Sequence, residues 1–150
     1  MLILNFQIVI EASVQKVWNT MINQETYKQW TRVFQPTSYY EGNWEQGSEI
    51  KFLAHSDNGT QSGMYSRIKE NKLYQYISIQ HLGMISNGIV DTTSESVTKW
   101  APSLENYRFN QLSENQTELK IEMEMLEEYK EMFDKLWPKA LLELKNLCES

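Results

Sequence analysis

The first ten residues place an apolar side chain at every second position. Leu2, Leu4, Phe6, Ile8 and Ile10 recur at every second position, which is the period of a β-strand with one buried face. The pattern predicts a first strand that runs to about Ile10.

Helical spacing replaces the alternation after this strand, and it predicts two short helices. Ser13 and Asn23 each precede an apolar set and are suitable N-caps, because their side-chain oxygens can accept hydrogen bonds from the first free backbone N–H groups. The apolar positions are Val14, Val17, Trp18 and Met21 in the first helix and Tyr27 and Trp30 in the second.

A meander of antiparallel strands is predicted next. Gly42 and Gly47 punctuate a loop between two strands. The pair Asn58-Gly59 is a strong hairpin signal, because the favoured two-residue turns need positive φ, and it predicts that 49–55 pairs with 60–69. The polar run KENK predicts a second turn, after which Leu73, Gln75, Ile77, Ile79 and His81 share one face of the following strand.

The remaining segments complete an α+β pattern. LENYRFNQL and TELKIEMEM flank SENQ and predict one more hairpin. The segment from Leu82 to Ser103 is too long for a hairpin turn, and long segments of this kind are often lids or binding loops. A final helix is predicted from about Glu128 to Cys148. Strands and helices segregated in this way indicate one antiparallel sheet with a helix packed on it.

Composition limits the classes of function. The 150 residues, 41% hydrophobic and 12% aromatic, predict a single packed domain, 1–150, with a substantial core. A formal charge of −6 argues against nucleic acid, whose binding depends on basic patches. The single cysteine, Cys148, excludes an internal disulfide. The apolar start lacks a positive n-region, and no stretch is long and apolar enough for a membrane span, so the expected location is cytoplasmic.

Candidate chemistry is sparse. Only His55 and His81 could join carboxylates in a metal site, and neither has a partner at ligand spacing. Glycine-rich phosphate loops and a Gly-x-Ser-x-Gly elbow are absent. We therefore expect no metal and no cofactor, although scattered serines leave a Ser-His-acid arrangement open.

Polar residues on apolar strand faces are the more informative signal. Gln75 and His81 are in phase with Ile77 and Ile79, and Glu105 is in phase with Tyr107 and Phe109. If these faces point inward, three hydrogen-bonding groups enter an apolar space, where each needs a partner. The alternative is that bulges shift the phase and turn them to solvent.

The order of elements resembles a known family. The segments that carry the resemblance are ASVQKVWNTMINQETYKQW after the first strand, GNWEQGSEI, GTQSGMYSRIKE and a Trp-containing final helix. Together they are similar to the proteins related to the C-terminal domain of the activator of Hsp90 ATPase, the AHSA-like family, within the START and birch-pollen-allergen-like (SRPBCC) superfamily. The resemblance implies a helix-grip fold, in which a curved antiparallel sheet of about six to seven strands wraps around the long C-terminal helix and encloses a cavity. Relatives use that cavity for apolar molecules, and a minority perform cyclase or hydrolase chemistry in it.

The leading functional hypothesis is therefore a small-molecule binding protein with an apolar or amphipathic ligand. The alternatives are a protein-contact module acting on a chaperone and a cyclase- or hydrolase-type enzyme, and the chain is expected to be a monomer or a dimer. Taken singly, each aromatic candidate is more often ordinary core than pocket lining, and only together do they favour a ligand site. The candidate ligand-binding residues are Trp30, Phe52, Gln75, Ile79, His81, Glu105, Tyr107, Met123, Phe133 and Trp137.

The final helix is predicted to divide along its length. Pro138 removes one helical hydrogen bond, which predicts a bend near Trp137. Its second half should pack as core, while Met132, Phe133 and Trp137 border the cavity. The Leu82 to Ser103 segment is expected at the cavity mouth.

Overall fold

A computed structural model describes every residue from Met1 to Ser150. The chain forms eight strands and four α-helices, with a 3₁₀ turn before the last helix. In chain order the elements are β1 (Leu2–Ile10), α1 (Val14–Ile22), α2 (Gln24–Thr31), β2 (Tyr39–Gly42), β3 (Glu49–His55), β4 (Gln61–Lys72), β5 (Tyr76–Ser86), β6 (Ile89–Asp91), α3 (Glu95–Thr98), β7 (Ser103–Ser113), β8 (Gln116–Met125), the 3₁₀ turn (Glu127–Tyr129) and α4 (Lys130–Glu149).

All strand pairings are antiparallel, and the strands form one curved, open sheet. Its order is β1-β8-β7-β5-β4-β3-β2, with β6 added beside β5. The predicted α+β helix-grip fold is confirmed, with eight strands rather than six or seven. We call the side of the sheet that packs on α4 the inner face and the opposite side the outer face.

Local sequence signals explain where α1 and α2 begin. The Ser13 side chain accepts a hydrogen bond from the backbone N–H of Lys16, and Asn23 accepts one from Glu25. Both predicted N-caps are confirmed. Each cap satisfies a backbone donor that the first helical turn leaves free, and such a cap is typically worth about 1 kcal/mol.

Helix α4 fills the inner side of the sheet. Its buried residues recur at spacings of three and four, as a helix with one core-facing stripe requires: they are Trp137, Ala140, Leu141, Leu144 and Cys148. Near the start of the helix Phe133 is half-buried and Met132 is exposed. The second half of α4 is thus core, as predicted. None of the helices combines the length and the apolar composition that a bilayer crossing requires.

The turn between β4 and β5 differs from the sequence prediction. The KENK run lies inside β4, which continues to Lys72 past an irregularity between Ile68 and Glu70. The turn comes later, at Leu73 to Gln75, where Tyr74 has φ of 62°. Two lysines and a glutamate suggest a turn, but they lie on a strand on which Lys69 and Lys72 are exposed and Glu70 is half-buried. Leu73 and Gln75 are consequently exposed turn residues.

The segment from Leu82 to Ser103 is ordered secondary structure. It completes β5, returns as β6 and continues into α3. A Cβ built on Gly83 would lie 2.4 Å from the backbone oxygen of Asp91, so the return strand crosses tightly over Gly83. Gly83 pairs with Tyr65, and Tyr65 pairs with Lys51. All three residues lie on the outer face. The chain at Asp91 and Thr92 therefore passes close over the outer face at Gly83, while β6 continues the sheet beside the inner-face residue Met84.

Candidate functional site

Neighbouring strands bring a histidine and a glutamate together on the inner face. In the register of β5 and β7, Glu105 lies opposite Ile79, two residues from His81. His81 Nε2 is 3.0 Å from Glu105 Oε1, and the exposed fractions of the two side chains are 11% and 15%. On the other side of the ring, Ser66 Oγ lies 2.7 Å from His81 Nδ1. The hydroxyl of Tyr107 donates a hydrogen bond to Glu105 Oε2.

The position of each proton in this network follows from Ser66. Its side chain is fully buried, and His81 Nδ1 is its one hydrogen-bond partner. The hydroxyl must therefore donate to Nδ1, because a buried O–H without an acceptor is costly. Nδ1 is then the unprotonated nitrogen of a neutral imidazole, and Nε2–H donates to the carboxylate. The network of Ser66, His81, Glu105 and Tyr107 carries one negative charge, on Glu105.

Two buried tyrosines respond to that charge. Burial, followed by the negative charge of Glu105, raises the pKa of Tyr107 well above its usual value. The same two causes, in the same order, raise the pKa of Tyr27 on α2. Both phenols thus stay protonated at neutral pH and act as hydrogen-bond donors beside the carboxylate.

Seven side chains close a ring of contacts around the interior, which we call the interior ring. Each neighbouring pair is either hydrogen-bonded or separated by about 5.7 to 6.2 Å between ring centroids, the range of favourable aromatic packing. In order the members are Trp137, Tyr107, Glu105, His81, Phe52, Tyr27 and Trp30.

Two indoles at this ring have no hydrogen-bond partner. Trp137 Nε1 is buried without an acceptor, and so is Trp44 Nε1. The Trp44 ring packs against Phe52 and Tyr27, at 5.7 and 6.5 Å between centroids. By contrast, the indole N–H of Trp30 donates to the carbonyl oxygen of Met21 at 3.0 Å. Since buried polar groups are nearly always paired, the two unpaired donors indicate a place for an acceptor that the chain itself does not supply.

The inner face is partly uncovered beyond His81. Phe52 pairs with Met64, and Met64 pairs with Met84 across the next strand, so the three side chains form a row that leads outward from the interior ring. Met64 is half-buried and Met84 is 43% exposed. We call this row, together with the part of the interior ring that it adjoins at Phe52 and His81, the inner crevice.

Nine of the ten predicted site residues lie on the inner side. Trp30, Ile79, Tyr107, Met123 and Trp137 are all buried in the core cluster, and Ile79 and Met123 are not members of the interior ring. Phe52, His81, Glu105 and Phe133 are buried or half-buried. Gln75 is not brought to the others, because it lies in the exposed turn before β5.

Sequence reasoning missed three contributors. Tyr27 is predicted on the second helix but not in the site, and its spacing of three from Trp30 is the signal that places the two on one helix face. Ser66 is in phase with Ile68 on β4, which marks it as inward-facing. Trp44 lies outside regular structure, and no pattern of spacing could have placed it.

Two surface depressions lie away from this region. One of about 430 Å³ is lined by Glu70, Lys72, Gln75, Tyr76, Arg108 and Phe109. The other, of about 380 Å³, lies among charged residues at the start of α4. No three His, Cys, Asp or Glu side chains converge in a way that could hold a metal ion.

The chemistry available in the site is hydrogen bonding and charge. Ser66 is sealed behind His81, so a bound molecule would meet the carboxylate of Glu105 before it could reach the serine hydroxyl. Glu105 can accept further hydrogen bonds, because a carboxylate has about four lone-pair sites and two are used.

Comparison with known families supports one assignment. A model of the family described as "Activator of Hsp90 ATPase homolog 1-like protein" matches residues 11–149. A comparison with curated proteins found no match.

Solved structures share the fold at low identity. A protein from Nitrosomonas europaea is 15% identical, with a TM-score of 0.71 over 97% of this chain and 93% of its own. A structure described as the Aha1 dimer from Colwellia psychrerythraea is 20% identical, with a TM-score of 0.69 over 99% and 97% of the two chains. A protein from Chromobacterium violaceum is 14% identical, with a TM-score of 0.69 over 100% and 99%. At these identities the likeness concerns the fold.

Proposed function

We propose that this chain, which belongs to the activator of Hsp90 ATPase homolog 1-like family, binds a small amphipathic molecule in the inner crevice. The observation that carries the proposal is the pair of buried indole N–H groups, on Trp44 and Trp137, that have no acceptor. A buried donor without a partner costs about 1–3 kcal/mol. A ligand with hydrogen-bond acceptors would remove that cost on binding.

The surroundings of these donors suit a small molecule. Ligand sites are mostly apolar and aromatic, with a few converging polar groups that fix orientation. The interior ring contains the aromatic side chains of Tyr27, Trp30 and Phe52, of which Phe52 is half-buried, and the polar pair His81 and Glu105. Met64 and Met84 lie on the outward side, where flexible thioether side chains can adapt to ligands of different shape.

A binding screen with matched variants tests the proposal. Native mass spectrometry of the purified chain, followed by thermal-shift screening against lipids and aromatic metabolites, should give at least one copurifying or stabilising compound. The double variant Trp44→Phe/Trp137→Phe should reduce its affinity, because both donors are gone while the aromatic surface is largely kept. Trp100→Phe, which changes a half-buried indole in the segment after α3, should leave the affinity unchanged.

Two results would count against binding in the crevice. One is the absence of any copurifying molecule together with no stabilising compound in the screen. The other is a ligand whose affinity is the same in the wild type and in the Trp44→Phe/Trp137→Phe variant, since such a ligand would bind elsewhere.

Contact with a chaperone is a prediction that family membership alone supports. It is tested by a pull-down with purified Hsp90 and by the ATP turnover of that chaperone. A chain that neither binds the chaperone nor changes its turnover would exclude this role.

A further inference from the structure

We propose that the inner crevice selects ligands that carry a protonated amine and rejects carboxylates, and that Glu105 sets this preference. The inference rests on the binding function proposed above and names the chemical class of the ligand.

The first step is the charge of the site. Ser66 donates to His81 Nδ1, so the imidazole is neutral and donates through Nε2 to Glu105. Tyr107 donates to the second carboxylate oxygen. Two neutral side chains, His81 and Tyr107, thus donate to one carboxylate, and their hydrogen bonds stabilise its charge without cancelling it.

The second step is that no cation balances the carboxylate. His81 is the one basic side chain within ion-pair distance of Glu105, and no lysine or arginine is buried anywhere in the chain. A negative charge with 15% of its side chain exposed would repel an anionic ligand at close range. It would attract a cationic one more strongly than a surface carboxylate does, because water screens it less.

The third step concerns the aromatic rings near the carboxylate. Phe52 packs edge-on against His81, at 6.0 Å between centroids, and Tyr27 lies 6.1 Å from Phe52. The faces of aromatic rings attract ammonium groups, and a desolvated aromatic site adds to this attraction. Aromatic rings beside a carboxylate are therefore suitable surroundings for a protonated amine.

The fourth step is the opposite requirement at the indoles. The N–H groups of Trp44 and Trp137 need acceptors, which an ammonium group cannot supply. The ligand class that satisfies both ends is therefore an amphipathic amine that also carries hydroxyl, ether or carbonyl oxygens on an apolar body.

Matched probes separate charge from shape. Tryptamine, tryptophol and indole-3-acetate share an indole body, and decylamine, decanol and decanoate share an alkyl chain, below their micellar concentrations. In each set that binds, isothermal titration calorimetry at pH 7 should show that the amine binds at least about tenfold more tightly than the carboxylate. The affinity of the alcohol should lie between the two.

Variants assign the preference to Glu105. Glu105→Gln keeps the size of the side chain and removes its charge, so the ratio of amine to carboxylate affinity should fall towards one. Glu122→Gln removes one negative charge from an exposed position on β8 and should leave the ratio as in the wild type. Thermal unfolding of each variant confirms that it is folded.

The outcomes distinguish this inference from the proposed function. A carboxylate bound as tightly as its amine in the wild type overturns the charge preference and leaves ligand binding intact; this comparison needs no variant to fold. A preference that survives in folded Glu105→Gln overturns the role of Glu105. If none of the six probes binds and the wider screen also finds no ligand, both the proposed function and this inference fail.

Discussion

Ser66 Oγ lies 2.7 Å from Nδ1 of His81, and this contact joins β4 and β5 on the inner face of the sheet. The two residues are direct partners in the register of β4 and β5, just past a β-bulge-type shift between Tyr65 and Ser66. The serine is completely buried, so it has no access to water as an alternative partner. Its role is to hold the imidazole in one orientation and one tautomer.

Ser66→Ala should therefore destabilise the fold. The substitution leaves His81 Nδ1 buried without a donor, at a cost of about 1–3 kcal/mol. Urea unfolding at pH 7 measures the change in the free energy of unfolding. Ser62→Ala, at an exposed position of the same strand, is the control and should change it by less than about 0.5 kcal/mol. Equal stability of the two variants would mean that Ser66 does not hold His81.

Two leucines of α4 lie on different sides of the helix, one facing the core and one facing solvent. Leu144 is fully buried and Leu142 is 52% exposed. Leu144→Ala should lower the free energy of unfolding by about 2–5 kcal/mol, because it removes packed methyl groups and leaves a cavity. Leu142→Ala should cost far less in the same denaturant titration. Similar losses for both variants would contradict the orientation of the helix.

The absence of a side chain at Gly83 allows the chain at Asp91 and Thr92 to lie close to β5. Its backbone does not have the positive φ of the turn glycines, so the effect of a side chain here is steric. In Gly83→Ala the new Cβ would meet the Asp91 backbone oxygen at 2.4 Å and Thr92 Cγ2 at 2.9 Å. Relief of this overlap by displacement of β6 should cost about 1–3 kcal/mol.

Hydrogen exchange measures this displacement directly. The amides of Ile89 to Asp91 should lose protection in Gly83→Ala while those of β1 and β8 keep theirs. Ser86→Ala, an exposed position on the same strand, is the control. Unchanged protection in β6 would show that the segment tolerates a side chain at position 83.

The sequence predicts the periodic helices and strands well, but it predicts the residues of the inner crevice and their contacts only in part. The alternation in β1 acts locally, so its outcome does not depend on the rest of the chain. Asn58-Gly59 correctly predicts that β3 and β4 pair, but the connection runs from Ser56 to Thr60, and within it Gly59 has positive φ while Asn58 does not. His81 and Glu105 could be assigned to the inner side by strand phase. Their contact could not be predicted, because it depends on the register between β5 and β7, which a one-residue slip would undo.

The site predictions that failed concern residues outside the regular strands and helices. Gln75 shares the phase of Ile77 and Ile79 but lies one position before β5, where the turn ends the alternation. Trp44 projects from irregular structure, so only tertiary packing brings it next to Phe52. A residue outside helices and strands has no period from which its direction could be inferred.

Tyr107 should make the stability of the chain depend on alkaline pH. Burial and the charge of Glu105 raise the pKa of its phenol in the folded state above the ordinary value of 10.0. In the unfolded chain the phenol ionises near that value, so above pH 10 the unfolded state binds fewer protons and is favoured. The stabilising contribution of Tyr107 is complete below about pH 10 and is lost as the pH rises further, at up to ~1.4 kcal/mol per pH unit.

Tyr107→Phe tests this dependence. At pH 8 the variant should be less stable than the wild type by about 1.5–3 kcal/mol, because the hydrogen bond to the Glu105 carboxylate is lost. The difference should narrow between pH 10 and 11, since the wild type alone loses the contribution of Tyr107.

Tyr27 and Cys148, whose pKa values burial also raises, are present in both chains and cancel in the comparison. Tyr129→Phe, at a 44% exposed position, should show a constant small difference across the same range. A gap that stays constant for Tyr107→Phe would show that the phenol is not buried beside a charged Glu105.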